Sequence, residues 1–193
     1  MKNNKIKRQK VLVFTNDAGA SAYICSIISN EKKLFDWKVY IIKSSLARKE
    51  VKKWKIPHKF FSVPDNINKI IKLEKPDFIL YGTGWFNFSS IIKKNSRKFN
   101  IRTIALIDHW VQYKKRFSNN SLPDIIVVTD KNAKKLAQKT FNSKVKIFQI
   151  RNYYFEHLKN KFFKIKNKIK KYVVFISEPT KVKKDPLDFN KFE

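Results

Sequence analysis

The sequence predicts a doubly wound, Rossmann-like α/β domain around a mainly parallel sheet of about seven strands. Two patterns predict it. Short β-rich apolar runs alternate with lysine-rich helical stretches, the spacing of βαβ units. The apolar runs are continuous rather than alternating, so both sheet faces are covered. The chain has 193 residues, enough for one ordinary domain or one and a fragment. It is 42% hydrophobic and 15% aromatic, which supplies a real core and argues against disorder.

In order, VLVFT (11–15) reads as the first strand and SAYICSIIS (21–29) opens a helix. KVYIIK (38–43) is the second strand, followed by a helix around LARKEVKKW. KFFSV (59–63) precedes the short helix INKIIKLE. DFILYGTG (77–84) is the fourth strand, with helix FSSIIKKNSRKF behind it. IRTIALID (101–108), DIIVVTD (124–130) and KVKIFQI (144–150) complete seven strands, with helix KNAKKLAQKTF before the last. A basic helix over about 154–170 follows, then a further strand, YVVFIS (172–177). The residues predict a basic amino terminus (1–10) and the α/β domain (11–151).

Lys+Arg number 44 and Asp+Glu 15, a net charge of +29. Nucleic acid, an anionic membrane and phosphorylated small molecules are the partners such a charge invites. Yet only six of the basic residues are Arg, the side chain that reads bases and stacks on them. With abundant Lys, Asn and Ile, compositional drift in an A+T-rich genome explains the charge equally well. No RNA- or DNA-reading motif occurs, and nucleic acid is not the expected partner. The single Cys25 excludes an intramolecular disulfide framework and a cysteine metal cluster; no metal site is expected. The apolar run behind MKNNKIKRQK is too short for a secretory signal, and nothing approaches the roughly 20 apolar residues of a membrane span. A cytoplasmic protein is expected.

The chain contains three glycines: Gly19 after the first strand, and Gly82 and Gly84 at the end of the fourth. In strand order 3-2-1-4-5 these strands are neighbours flanking the point where the winding reverses and a ligand crevice opens. Glycine suits a sharp strand-to-helix turn and close approach of a ligand to backbone N–H groups. The loop Asn16-Asp17-Ala18-Gly19-Ala20-Ser21 is neither a dinucleotide fingerprint nor a P-loop, so no NAD or NTP cofactor is expected.

Strand ends carry the groups capable of chemistry. Asp17 either caps its helix or acts as a base; both readings stand. Asp108 beside His109 can tune proton transfer if the two side chains meet. Trp85 and Trp110 either stack on a ligand or close the core. Thr83 at the end of the fourth strand is a further substrate-binding candidate, and Lys114, Lys115 and Arg116 at the crevice mouth suit a phosphate or form a solvated loop. Asp130 and Ser44 read as helix caps. His58, His157 and Cys25 read as structural. From Leu158 the apolar positions 158, 162, 165 and 169 form one face of a lysine-rich helix, which either packs on the domain or lies on anionic lipid.

Together, TNDAGAS, YGTGW, ALIDHWVQYKKRF, LPDIIVVTD, RNYYFE and FISEP resemble the amino-terminal half of a GT-B-type, glycosyltransferase-like family of bacterial surface-polysaccharide biosynthesis. More broadly the chain is similar in plan to nucleotide-sugar transferases and UDP-N-acetylglucosamine 2-epimerases. The resemblance implies a first domain that holds the acceptor and a second that holds a nucleotide-sugar. It implies that a linker helix (152–171) and the start of a truncated second domain with its tail (172–193) follow the α/β domain. It implies that Asp17, Gly19, Gly82, Gly84, Asp108 and His109 line the cleft between them. The implied partners are a nucleotide-sugar or a phosphorylated or lipid-linked acceptor, and a separate donor-binding chain or a second copy. Contact with the inner face of a membrane follows from a lipid-linked acceptor. A basic nucleic-acid-binding module and an inactive remnant of a two-domain enzyme are the alternatives.

Overall fold

A computed structural model describes residues 8–62, 66–83, 88–117 and 121–163. Strand β1 (Lys10–Phe14) buries Val11 through Phe14 on both faces, which places it mid-sheet. On one side it pairs with β2 (Asp36–Ile42), which pairs with β3 (Lys59–Phe61). On the other side it pairs with β4 (Phe78–Gly82), followed by β5 (Arg102–Leu106), β6 (Ile125–Val128) and β7 (Lys146–Gln149). All six pairings are parallel and the order is β3-β2-β1-β4-β5-β6-β7. The seven strands of the sequence analysis all form, and β1 and β4 are neighbours as expected.

Right-handed crossovers sort the helices by face. On one face, α1 (Ala18–Asn30) and α2 (Ala47–Lys53) set Ile24, Cys25, Ile28 and Val51 against Val11, Val13, Val39 and Ile41. Cys25 is thus a core residue, and burial pushes its thiol up to about 12. On the other face, α3 (Asn66–Glu74), α4 (Phe88–Arg97) and α5 (Lys131–Phe141) pack Ile67, Ile71, Ile92 and Ala137 against Leu12, Phe14, Tyr81 and Ile126. A 3₁₀ turn at Tyr113–Arg116 belongs to this second face, through Tyr113 and Phe117 against Phe141. Helix α6 (Tyr153–Phe162) returns to the first face. Its Tyr154 ring lies 5.0 Å from Tyr23, and its His157 ring 4.4 Å from Trp54.

Local chemistry explains where element bounds differ from expectation. Helix α1 starts at Ala18, three residues early, because Asp17 accepts the Ala20 N–H and caps it there. Gly19 therefore lies in the first helical turn. Ser44 does not cap α2. Leu46 occupies that position without a side-chain cap, and the Ala47 N–H bonds to the Asn16 carbonyl. Asp130 does cap α5, through Ala133. Of the predicted basic helix (154–170) only 154–163, and of YVVFIS nothing, lies within the described residues.

At the end of the sheet opposite the crevice, the ammonium of Lys93 on α4 is buried. It donates to Asp124 at 2.6 Å and to Thr103 Oγ1 at 3.2 Å. Asp124 also accepts the Thr103 N–H and hydroxyl, each at 2.7 Å. Burial raises the Asp124 carboxyl, but the bonds from Lys93 and Thr103 outweigh it and hold the group below the usual carboxylate range. A depressed folded value means stability that is present above the unfolded carboxylate range, near pH ~4, and is lost as pH falls through the folded value. Lys93→Met is expected to cost about 2 kcal/mol at pH 7 in urea denaturation, with the deficit shrinking below pH ~4.

Candidate functional site

The winding reverses between β1 and β4, so their carboxyl ends and that of β5 open one crevice. Helix α1 reaches it because Gly82 has no side chain. A Cβ at Gly82 would lie 2.5 Å from the Ala20 Cβ and 3.3 Å from Thr15 Oγ1. The missing atom is replaced by the first turn of α1, which seats directly on the end of β4. Thr15 and Ser21 share a buried hydrogen bond of 2.7 Å beneath it, and the Ser21 hydroxyl also donates to the Asp17 carbonyl.

Gly19 does the same for a carboxylate. A Cβ there would lie 2.5 Å from Asp108 Oδ2 and 3.6 Å from Asp17 Oδ1. The two acids thus flank the first turn of α1, one from β1 and one from the end of β5. Neither Gly19 nor Gly82 adopts positive φ, so close approach rather than a strained turn is what each provides.

The Asp108 side chain is 1% exposed, and its Oδ1 lies 3.4 Å from Nε2 of His109, which is 48% exposed. Although adjacent in sequence, the two side chains turn toward each other. The contact is not a hydrogen bond and is an ion pair only when the ring is protonated; Oδ1 accepts no hydrogen bond among the described residues. Burial pushes the Asp108 carboxyl up, opposed by His109 and Arg116. Burial also raises Asp17, and the charge of Asp108 adds to it against the Ala20 N–H. The two acids stand on either side of Gly19, near enough for the charge of one to raise the other.

The remaining predicted residues divide. Arg116 is buried, and its Nη1 donates to the Thr83 carbonyl at 2.9 Å, tying the 3₁₀ turn to the end of β4. Thr83 is buried and bonds to the Leu106 carbonyl through its N–H and its hydroxyl. Both build the crevice from within. Lys114 and Lys115 point to solvent. Asn16 uses its side-chain oxygen on the Ile42 N–H at 3.4 Å, closing the β2 side. Trp110 is half-exposed, with its Nε1–H on Asp130 at 2.9 Å. Gly84 and Trp85 lie outside the described residues. Sequence reasoning missed the inward turn of Arg116, since one arginine in a basic run carries no mark of burial. It also missed Thr15 and Ser21, whose hydroxyls look like ordinary loop polarity. Among the described residues no group of three or more His, Cys, Asp and Glu could hold a metal ion, and no helix is long and apolar enough to cross a membrane.

Two substitutions probe this arrangement. A carboxyl raised in the folded state makes folding less favourable as pH climbs past its unfolded value. Asp108→Asn is therefore expected to raise the melting temperature at pH 7, with the gain vanishing as pH falls below ~4, measured by thermal unfolding across pH. Gly82→Ala forces Ala20 and α1 off the sheet, an expected loss of about 1–3 kcal/mol in urea denaturation.

No family model matches the sequence, and no curated protein matches it either. Solved structures do. The chain is similar to UDP-N-acetylglucosamine 2-epimerase from Rickettsia bellii, with a TM-score of 0.57 at 14% identity, covering 81% of this chain and 48% of that one. Acinetobacter baumannii MurG gives 0.54 at 10% identity, with 73% and 45% covered. Anabaena HepE, solved with UDP, gives 0.54 at 11% identity, with 74% and 44% covered. The chain spans less than half the length of each of these proteins. From its sheet order and these likenesses, the chain has the Rossmann-like α/β fold found in GT-B glycosyltransferases and in UDP-N-acetylglucosamine 2-epimerases.

Proposed function

We propose that this chain is the acceptor-binding, amino-terminal half of a nucleotide-sugar-dependent glycosyltransferase of cell-surface polysaccharide synthesis. The observation that carries this is the buried Asp108 facing the half-exposed His109 at the carboxyl edge of the sheet, beside the first turn of α1. His109 accepts the proton of an acceptor hydroxyl as that oxygen attacks the anomeric carbon of the donor sugar. The new C–O bond forms, the bond from that carbon to the diphosphate oxygen breaks, and a nucleoside diphosphate leaves. Asp108 fixes the ring and stabilises the imidazolium. Asp17 is the weaker candidate for the base, because its Oδ1 is committed to the Ala20 N–H.

In this reading residues 152–171 link the acceptor half to a donor-binding half whose first residues are 172–193. Its ligand is the nucleotide-sugar, as UDP is for HepE. In this reading Lys114 and Lys115, both exposed, meet the phosphate of a lipid-linked acceptor at the inner surface of a membrane.

The test follows the His109 imidazole resonances by NMR, assigned with His109→Ala, while lipid-linked and free saccharides are added to the full chain. Perturbation of His109 by a saccharide supports the proposal; silence with all of them sinks it. Once the donor-binding polypeptide is present, His109→Ala is expected to lower turnover by about 10²–10⁴ with little change in KM.

A further inference from the structure

Trp110 stands next to His109 with 53% of its surface exposed, and Val111 after it is 60% exposed. A side chain so exposed ordinarily samples several rotamers, but this indole is tied. Its Nε1–H donates to Asp130 Oδ2 at 2.9 Å. Asp130 is fixed in turn, since its Oδ1 accepts the Ala133 N–H at 2.8 Å and caps α5. One carboxylate thus pins the ring to the amino end of a helix and leaves an aromatic face at the carboxyl edge of the sheet.

We infer that Trp110 is the stacking platform for a neutral sugar ring of the acceptor, and that Asp130 is the positioning residue that holds it. This rests on the acceptor-half proposal and names the chemistry of that site. A helix amino terminus attracts anions. At two helix amino termini of this edge, those of α1 and α5, the side chains of Asp17 and Asp130 already accept the N–H groups. Asp108 adds a third acid, and the Nη1 of Arg116 is engaged with Thr83. A phosphate brought to this ring meets the Asp130 carboxylate that holds it. A neutral sugar ring needs no counter-charge and lays its C–H face on the exposed indole.

The experiment uses the ¹⁵N-labelled full chain and its tryptophan indole N–H resonances, with that of Trp110 assigned by Trp110→Phe. Methyl glucoside, N-acetylglucosamine, open-chain mannitol and inorganic phosphate are titrated in turn. Saturable shifts of the Trp110 resonance with the ring sugars, and none with mannitol or phosphate, are expected. Asp130→Asn retains an oxygen for the Ala133 N–H but offers an N–H where Trp110 needs an acceptor. It is expected to keep the melting temperature and to weaken ring-sugar binding roughly tenfold. If it lowers the melting temperature, Trp110→Phe, which keeps a ring without the tie, is expected to show the same weakening, read at the His109 resonances. A His109 shift that saturates with Trp110 unmoved rejects the platform but leaves the acceptor proposal standing. Silence at both residues rejects both. A Trp110 shift with phosphate overturns selection of a neutral ring, and unchanged affinity in Asp130→Asn overturns the positioning role.

Discussion

The contact between Ala20 and the bare Cα of Gly82 is the constraint on which the crevice depends. A helix that follows a parallel strand ordinarily lies one side chain away from the neighbouring strand. Here the missing Cβ lets the first turn of α1 drop onto the end of β4. That descent brings Gly19 within reach of β5, where its own missing Cβ leaves room for Asp108. Asp108 is then buried, and His109 is the cation-capable group beside it. Packing, acid burial and the orientation of the imidazole are successive consequences of two absent methyl groups.

The cost of this arrangement is visible elsewhere in the molecule. Buried carboxylates at the crevice are raised, while Asp124 at the opposite end of the sheet is lowered. The difference is in partners. Asp124 receives a buried ammonium, a hydroxyl and a backbone N–H. Asp108 has the His109 ring nitrogen at 3.4 Å and an oxygen with no donor among the described residues. A fold that satisfies one aspartate this fully and leaves another exposed to desolvation concentrates its strain at the carboxyl edge, where ligands bind in sheets of this class.

Much of this was legible in the residues. Runs such as VLVF and IIVV have no polar face, so a parallel sheet with two covered faces follows, and the order of β1 and β4 follows from the winding. The placement of Gly19 and Gly82 pointed to the crevice, but not to what fills the space beside them. Spacing shows that a side chain is absent; it does not show whether a ligand or the protein's own Ala20 and Asp108 come close. Capping was half legible. Asp130 stands directly before its helix, whereas Ser44 precedes one whose first N–H is taken by the Asn16 carbonyl, a partner 31 residues away in sequence. Non-local competition of that kind leaves no local mark. The same holds for Arg116, which sits among lysines that remain in solvent while its own guanidinium goes inward.

The net charge of +29 and the crevice point in different directions, and their geometry reconciles them. Lysines dominate the outer faces, as with Lys49 and Lys52 on α2 and Lys131 and Lys135 on α5, where water and salt screen them. Inside the carboxyl edge the local balance is acidic: Asp17, Asp108 and Asp130 stand against a half-exposed His109 and an Arg116 already engaged with Thr83. A long-range positive field draws an anionic surface or a phosphate-bearing molecule toward the protein as a whole. On the acceptor-half proposal, a molecule with a charged anchor and a neutral sugar end suits both, its anchor toward the lysines and its ring beside His109.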